Sequence, residues 1–268
     1  MGLFRTRRGI GLLTFATVMA VACVLLGLWQ LDRYQQRGER NEAVRTALSS
    51  EPVPLESLVP DGTDPGEATP DVEWRSVAVR GTFDPNVELA LRLRPVEGQS
   101  GVHALGLLVL EDGRGVLVDR GFAPTASRST ASVELPAATS GPVELVGRVR
   151  LSEDGRGAGL DGDSEPPSVR FVDVPDLQSF SSTELVGVWL QRVEQVPGED
   201  SSLAAVPPPR LSSGPSLIYA VQWFLFGVIA VVGFVVLARR DAAQTAAQPP
   251  AGTDAVADAR KPSPDQLA

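Results

Sequence analysis

A chain of 268 residues with a formal net charge of −9 at pH 7 has room for one or two domains, and its acidity speaks against nucleic acid as a partner. One cysteine, Cys23, excludes an intrachain disulfide. One histidine, His103, is too few for a metal site built from imidazoles or thiolates.

In chain order, Arg5, Arg7 and Arg8 precede an uncharged run from Gly9 to Leu28, long enough to cross a bilayer as a helix. Cys23 follows Ala20-Val21-Ala22 as in a lipoprotein cleavage site, but Val24 to Leu28 stay apolar where a tether would turn polar. An uncleaved anchor is therefore expected. Trp29, Gln30 and Arg33 end the run; their apolar bodies and polar tips suit the headgroup level. Trp29 and Arg33, four apart, fall on one helical face. The segment to Leu48 is charged and rich in helix formers, and is expected to prolong the helix as a stalk. Pro52, Pro54 and Pro60 end it, and Asp61 to Pro70 reads as a loop.

Period two then takes over. Val77 and Val79 alternate with polar or small neighbours up to Gly81, where a strand is expected to end. Val87, Leu89, Leu91 and Leu93 face one way and Glu88, Arg92 and Arg94 the other, as on a half-buried strand. Val102 to Leu110 and Val116 to Asp119 flank a Gly-containing turn and read as a hairpin. Val143 to Val149, Val169 to Val174 and Val186 to Val196 are further strands, with a short helix between Pro175 and Leu185. Ser152 to Pro167, acidic and Gly-rich, is expected to be a mobile excursion. The sum is a mainly β, antiparallel domain with one or two small helices.

A linker from Pro207 to Pro215 leads into a second uncharged run, Ile218 to Ala238, again of spanning length. Tyr219 and Trp223 open it at helical spacing. Arg239 and Arg240 follow, and the tail from Asp241 is expected to be disordered. By the positive-inside rule both termini are cytoplasmic. The expected organisation is residues 1–8 in the cytoplasm, 9–29 as the first transmembrane helix, 30–217 as an extracytoplasmic mainly β domain, 218–238 as the second transmembrane helix and 239–268 as a disordered cytoplasmic tail. The spans are expected to pack together, with Gly227 and Gly233 allowing close backbone approach.

Chemical motifs are few. Asp161-Gly162-Asp163-Ser164-Glu165 opens like a calcium loop, but Pro166 holds the glycine position and Val172 the place of the bidentate acid. Gly155-Arg156-Gly157-Ala158-Gly159 has the wrong spacing for a dinucleotide fingerprint and reads as a flexible loop. No Gly-x-Ser-x-Gly elbow supports a Ser-His-acid triad, and His103 is expected to be exposed or at an edge. No catalytic residue, and no metal site, is assigned. Asp119-Arg120-Gly121-Phe122 reads as a strand end running into a glycine turn.

Four motifs in order carry a resemblance: Gly27-x-Trp29-Gln30-x-x-Arg33, then Val79-Arg80-Gly81-Thr82-Phe83-Asp84, then Val116-Leu117-Val118-Asp119-Arg120-Gly121-Phe122, then Tyr219-Ala220-Val221-Gln222-Trp223-Phe224. Together, with a span at each end, they resemble the surfeit locus protein 1 family of cytochrome c oxidase assembly factors over residues 10 to 238. The resemblance implies two helices holding an extracytoplasmic domain beside a haem–copper oxidase, without catalysis of its own. It further implies a role in oxidase biogenesis, at the a-type haem insertion step or as an accessory subunit that stays bound, with a-type haem as transient cargo. Trp29, Gln30, Arg33, Arg120, Gly121, Phe122, Tyr219, Gln222 and Trp223 are the expected contact residues toward oxidase subunits. Phe122 stands where the family has Trp. Ser216 stands where the family commonly has a His proposed to bind haem, which leaves Tyr34, Tyr219 and His103 as the remaining donors outside the hydrocarbon. Two rival readings are a non-enzymatic envelope protein bound to another membrane complex and a double-anchored hydrolase.

Overall fold

The computed structural model describes residues 7–60, 62–64, 68–125, 134–153 and 157–247. Arg5, part of the 61–70 loop, Gly155-Arg156 and the tail from 248 lie outside them. The chain divides into two units, residues to Gly38 with those from Ser213 onward, and Glu39–Ser212.

The first unit is a pair of helices. α1 runs Arg7–Ser49, so the apolar run and the charged stalk are one helix. α3 runs Ser216–Ala247. It continues through 241–247, where disorder is expected from the sequence, because the alanines at 242, 243, 246 and 247 favour helix. Both helices are long and apolar enough to cross a membrane.

They pack antiparallel along small residues. Gly27 and Cys23 are buried on α1, and Ser216, Ala220 and Gly227 on α3. A Cβ at Gly27 would lie 2.6 Å from the Phe224 ring, and one at Gly227 would lie 3.4 Å from Cys23 Cβ. The spacings, four on α1 and four then seven on α3, match the heptad seam of a left-handed helix pair. Gly233, expected to share the seam, faces open space. A helix carries one such seam per face, and Gly233 is off it.

The second unit is built on β1 (Val53–Pro54), β2 (Ser76–Leu91), β3 (Gly101–Leu110), β4 (Gly115–Pro124), β5 (Pro142–Leu151), β6 (Ser168–Val169) and β7 (Leu185–Val196). The neighbours run β2-β3-β4-β7-β5, and β5 pairs back onto β2. Five strands thus close a barrel, which removes free sheet edges. β1 and β6 add short parallel pairings to β2, and β4 pairs parallel with β7. The sheet is mixed rather than wholly antiparallel, because the chain crosses over between β4 and β7 through β5 instead of turning back.

β2 is one strand of 16 residues where the sequence suggests two. Gly81 does not end it. A Cβ there would lie 2.2 Å from the Val109 carbonyl oxygen, so the glycine permits strand contact. The irregularity comes later, between Phe83 and Glu88, where the register to β3 shifts. Leu93 lies beyond β2 in a left-handed conformation (φ 64°) and is 75% exposed, not part of a buried face.

Each of the five barrel strands sends apolar side chains inward, among them Val79, Leu108, Val118, Leu145 and Val188. A second core lies outside the wall, where Leu89, Leu107, Leu117 and Trp189 meet Ala158, Val172, Val174 and Leu177. The expected mobile excursion contributes Ala158 to the cover over that wall. Its Asp161 exchanges backbone hydrogen bonds with Ser168 of β6. Val169 to Val174 is not a strand of its own; β6 stops at Val169 and helix α2 (Val174–Leu177) begins, with Pro175 in its first turn and the Asp173 side chain capping it. β3 and β4 are buried on both faces as a result.

Candidate functional site

The polar centre of the barrel domain is built at β4. Opposite it on β3, Ala104 pairs with Gly121 and Leu105 with Asp119, so Arg120 is the extra residue of a β-bulge. The bulge turns Asp119 and Arg120 to different surroundings. Neither is at a strand end: β4 continues to Pro124.

Arg120 is fully buried. Its Nη1 donates to Glu88 Oε1 at 3.0 Å, its Nε and Nη2 form a two-pronged contact with Glu199 at 3.0 Å each, and Nη2 also donates to the Pro136 carbonyl at 2.8 Å. Burial pushes the Glu88 carboxyl above its ordinary value, opposed by the Arg120 charge. The glycine at 106 leaves room for the Arg120 stem, whose Cδ would sit 3.1 Å from a Cβ there.

Asp119 faces His103. Its Oδ2 lies 2.8 Å from His103 Nδ1, and its Oδ1 accepts from the Gly121 amide at 3.1 Å. The other imidazole nitrogen, Nε2, meets the Arg94 carbonyl at 3.1 Å, and the ring packs edge-on against Phe122, with centroids 5.4 Å apart. His103 is 4% exposed. The expectation of an exposed or edge histidine is corrected. β3 lies between β2 and β4, and the bulge aims Asp119 at it.

The segment after β7 is strapped over this centre. Phe122 and Ala204 exchange backbone hydrogen bonds at 2.8 and 2.9 Å, Gln191 Nε2 donates to the Val206 carbonyl at 2.8 Å, and Arg192 Nε donates to the Arg120 carbonyl. Gly121 (φ 147°) allows the approach: a Cβ there would lie 2.8 Å from the Ala204 carbonyl oxygen. Arg94, His103, Val96 and residues 206–210 line an open cleft of about 810 Å³ above His103.

In the helix pair, Arg33 places its guanidinium 5.9 Å from the centroid of the exposed Trp29 ring. Gly27 meeting Phe224 sets Trp29, two residues onward, level with Gln222, two residues back. Gln222 and Tyr219 are exposed, Gln30 and Trp223 half-buried, and Trp223 packs edge-on against Phe226. The expected contact residues thus form two groups, one at helix level and one, Arg120-Gly121-Phe122, buried inside the domain. Ser216 is buried in the seam and accepts from Arg37 Nη1 at 3.5 Å.

Of the three donors named from the sequence, Tyr34 and Tyr219 lie on the helix pair and His103 in the barrel domain. Ser216 stands where the resemblance places a histidine, and His103 has both ring nitrogens engaged. No cluster of three potential metal ligands exists among the described residues, and Asp161 is paired with Arg92 at 3.0 Å. Sequence reasoning missed Glu88, Glu199, Gln191 and Arg192. Glu88 lies on the polar side of its alternation, which is a usable signal; Glu199 sits in a loop and has none.

A closed small barrel with a buried Arg–Glu centre, joined at both ends to long apolar helices, defines a class of helix-anchored β domains. The chain belongs to the SURF1 family, a family of cytochrome c oxidase assembly factors, whose model matches residues 17–228. It is 33% identical over 218 residues to an uncharacterised SURF1-like protein of Mycobacterium tuberculosis, covering 78% of this chain and 75% of the relative. It is 28% identical over 197 residues to surfeit locus protein 1 of Xenopus tropicalis, covering 68% and 62%. With human surfeit locus protein 1 the identity is 28% over 189 residues, covering 65% and 60%.

Proposed function

We propose that this protein assists biogenesis of a haem–copper oxidase at the a-type haem insertion step, by protein contact rather than by holding the haem iron. Both helices cross the membrane, the termini face the cytoplasm and the barrel lies outside. The contacts to oxidase subunits run through Trp29, Gln30, Arg33, Tyr219, Gln222 and Trp223 at the outer membrane level. Arg120, Gly121 and Phe122 act by holding the strap and the surface it presents.

One observation carries the contact-based reading: the family's histidine position is a seam serine, and the only histidine is tied on both sides. Deleting the gene should lower a-type haem absorbance in the membranes, and His103→Ala protein should restore it wherever that variant folds. Unchanged absorbance on deletion would sink the assembly reading in favour of a role at another membrane complex. Stoichiometric haem on the purified protein would sink the contact-only mechanism.

A further inference from the structure

Several partly buried arginines of the barrel domain find carboxylates. Arg92 meets Asp161 at 3.0 Å, Arg120 meets Glu88 and Glu199, and Arg150 meets Glu73 at 3.3 Å while stacking 3.9 Å over the Trp74 ring. Arg148, half-buried on β5, is different. Its Nε is enclosed with no hydrogen-bond partner, a state it shares with the Nε of Arg75, the residue before its cross-strand neighbour Ser76. Burial alone pulls its pKa down, with no acid opposing the shift. In a chain of net charge −9, an unmatched cation half out of water is costly, since a charge loses hydration that nothing replaces.

Its position is not incidental. Arg148 is paired across the wall with Ser76 on β2 and Gln191 on β7, and Gln191 is paired in turn with Asp119 on β4. Asp119 carries the row on to His103. The strap covers this row at Gln191 through Val206, and Arg148 is the end that remains unmatched. The register to β7 shifts just before it, where Val193 is the extra residue on β7 between the partners of Val146 and Gly147. With Nε enclosed, the two terminal amino groups are the open end of the guanidinium, suited to a carboxylate arriving end-on.

We propose that Arg148 is the receptor for an acidic side chain of a partner protein that docks on this part of the barrel wall. The proposal rests on the assembly reading for the partner's identity, an oxidase subunit. A protein carboxylate fits better than a free anion, because a single guanidinium without a backbone nest holds an anion weakly unless a larger interface brings it in.

The test uses the full chain purified from membranes, with Arg148→Leu, Arg148→Glu and Arg148→Lys variants. The Leu variant should melt at the wild-type temperature or above it, because it removes an unmatched charge, yet retain at least tenfold less oxidase on co-purification. Glu should retain none and Lys an intermediate amount. A clearly lowered Tm in Arg148→Leu would mean the guanidinium is matched inside the fold and overturn the proposal. Unchanged oxidase retention in the Leu and Glu variants would overturn it too. So would a selective loss of flotation with phosphatidylglycerol vesicles, which would make the anion a lipid phosphate. If the wild-type chain itself retains no oxidase, the assembly reading and the partner named here fall together. Wild-type retention with unaltered variants leaves that reading standing and removes Arg148 alone.

Discussion

At the scale of single residues, the bulge at β4 decides more than any motif residue by itself. Asp119 and Arg120 are adjacent in sequence, and a regular strand would send them to opposite faces with nothing to choose their partners. The extra residue lets one meet His103 and the other meet two glutamates. Gly121 then admits the strap. Gly121→Ala should cost about 1–3 kcal/mol, through strain at a positive φ and a contact with Ala204, read as a lowered midpoint in denaturant. Asp112, at the β3–β4 turn, is held below its ordinary value of 3.8 chiefly by the Arg114 side chain. A carboxyl held low adds stability above that value and loses it as pH falls through its folded pKa. Asp112→Asn should therefore be less stable than wild type at neutral pH by about 0.5 kcal/mol, since the pair is exposed. The two proteins should converge in acid melts below 3.8. A gap that persists there would show that the turn, not the charge, needs the aspartate.

At the scale of elements, the helix pair rests on small residues rather than on polar glue. Gly27 lets the Phe224 ring lie against α1, and Gly227 lets Cys23 approach α3. Gly27→Leu should push the helices apart at that level. With Cys23 changed to Ala, cysteines placed at Gln30 and Ala220 should crosslink in the parent and fail to do so when Gly27 is leucine. Persistent crosslinking would place the seam elsewhere. The covering segment of the barrel wall has a comparable logic. Its Ala158, Val172, Val174 and Leu177 are sparse in sequence, yet they close a second core on Leu89, Leu107 and Trp189.

At the scale of the whole molecule, charge at the ends is expected to set orientation. Arg7 and the pair Arg239 and Arg240 lie at the same end of an antiparallel helix pair, since Gly27 matches Phe224 and Cys23 matches Gly227. The positive-inside rule predicts that this end lies in the cytoplasm. A reporter active only outside the cytoplasm should be silent when fused after Arg240 and active when inserted in the exposed turn at Gly113. Activity after Arg240 would invert the topology.

The two helices, most of the strands and the family motifs were legible in the sequence because each follows from local pattern: uncharged length, period-two alternation and ordered signature residues. Closure of the barrel was not, since pairing of β5 with β2 depends on contacts between residues sixty or more positions apart. Nor was the burial of His103, because alternation assigns a face but not whether another layer covers it. Gly81 looked like a strand end for a similar reason: a glycine required by a neighbouring backbone and one required by a turn look alike in one dimension. The tertiary structure alone decided which charges find partners. Complementarity between Arg120 and its glutamates, and its lack at Arg148, is a property of distances that local sequence does not contain.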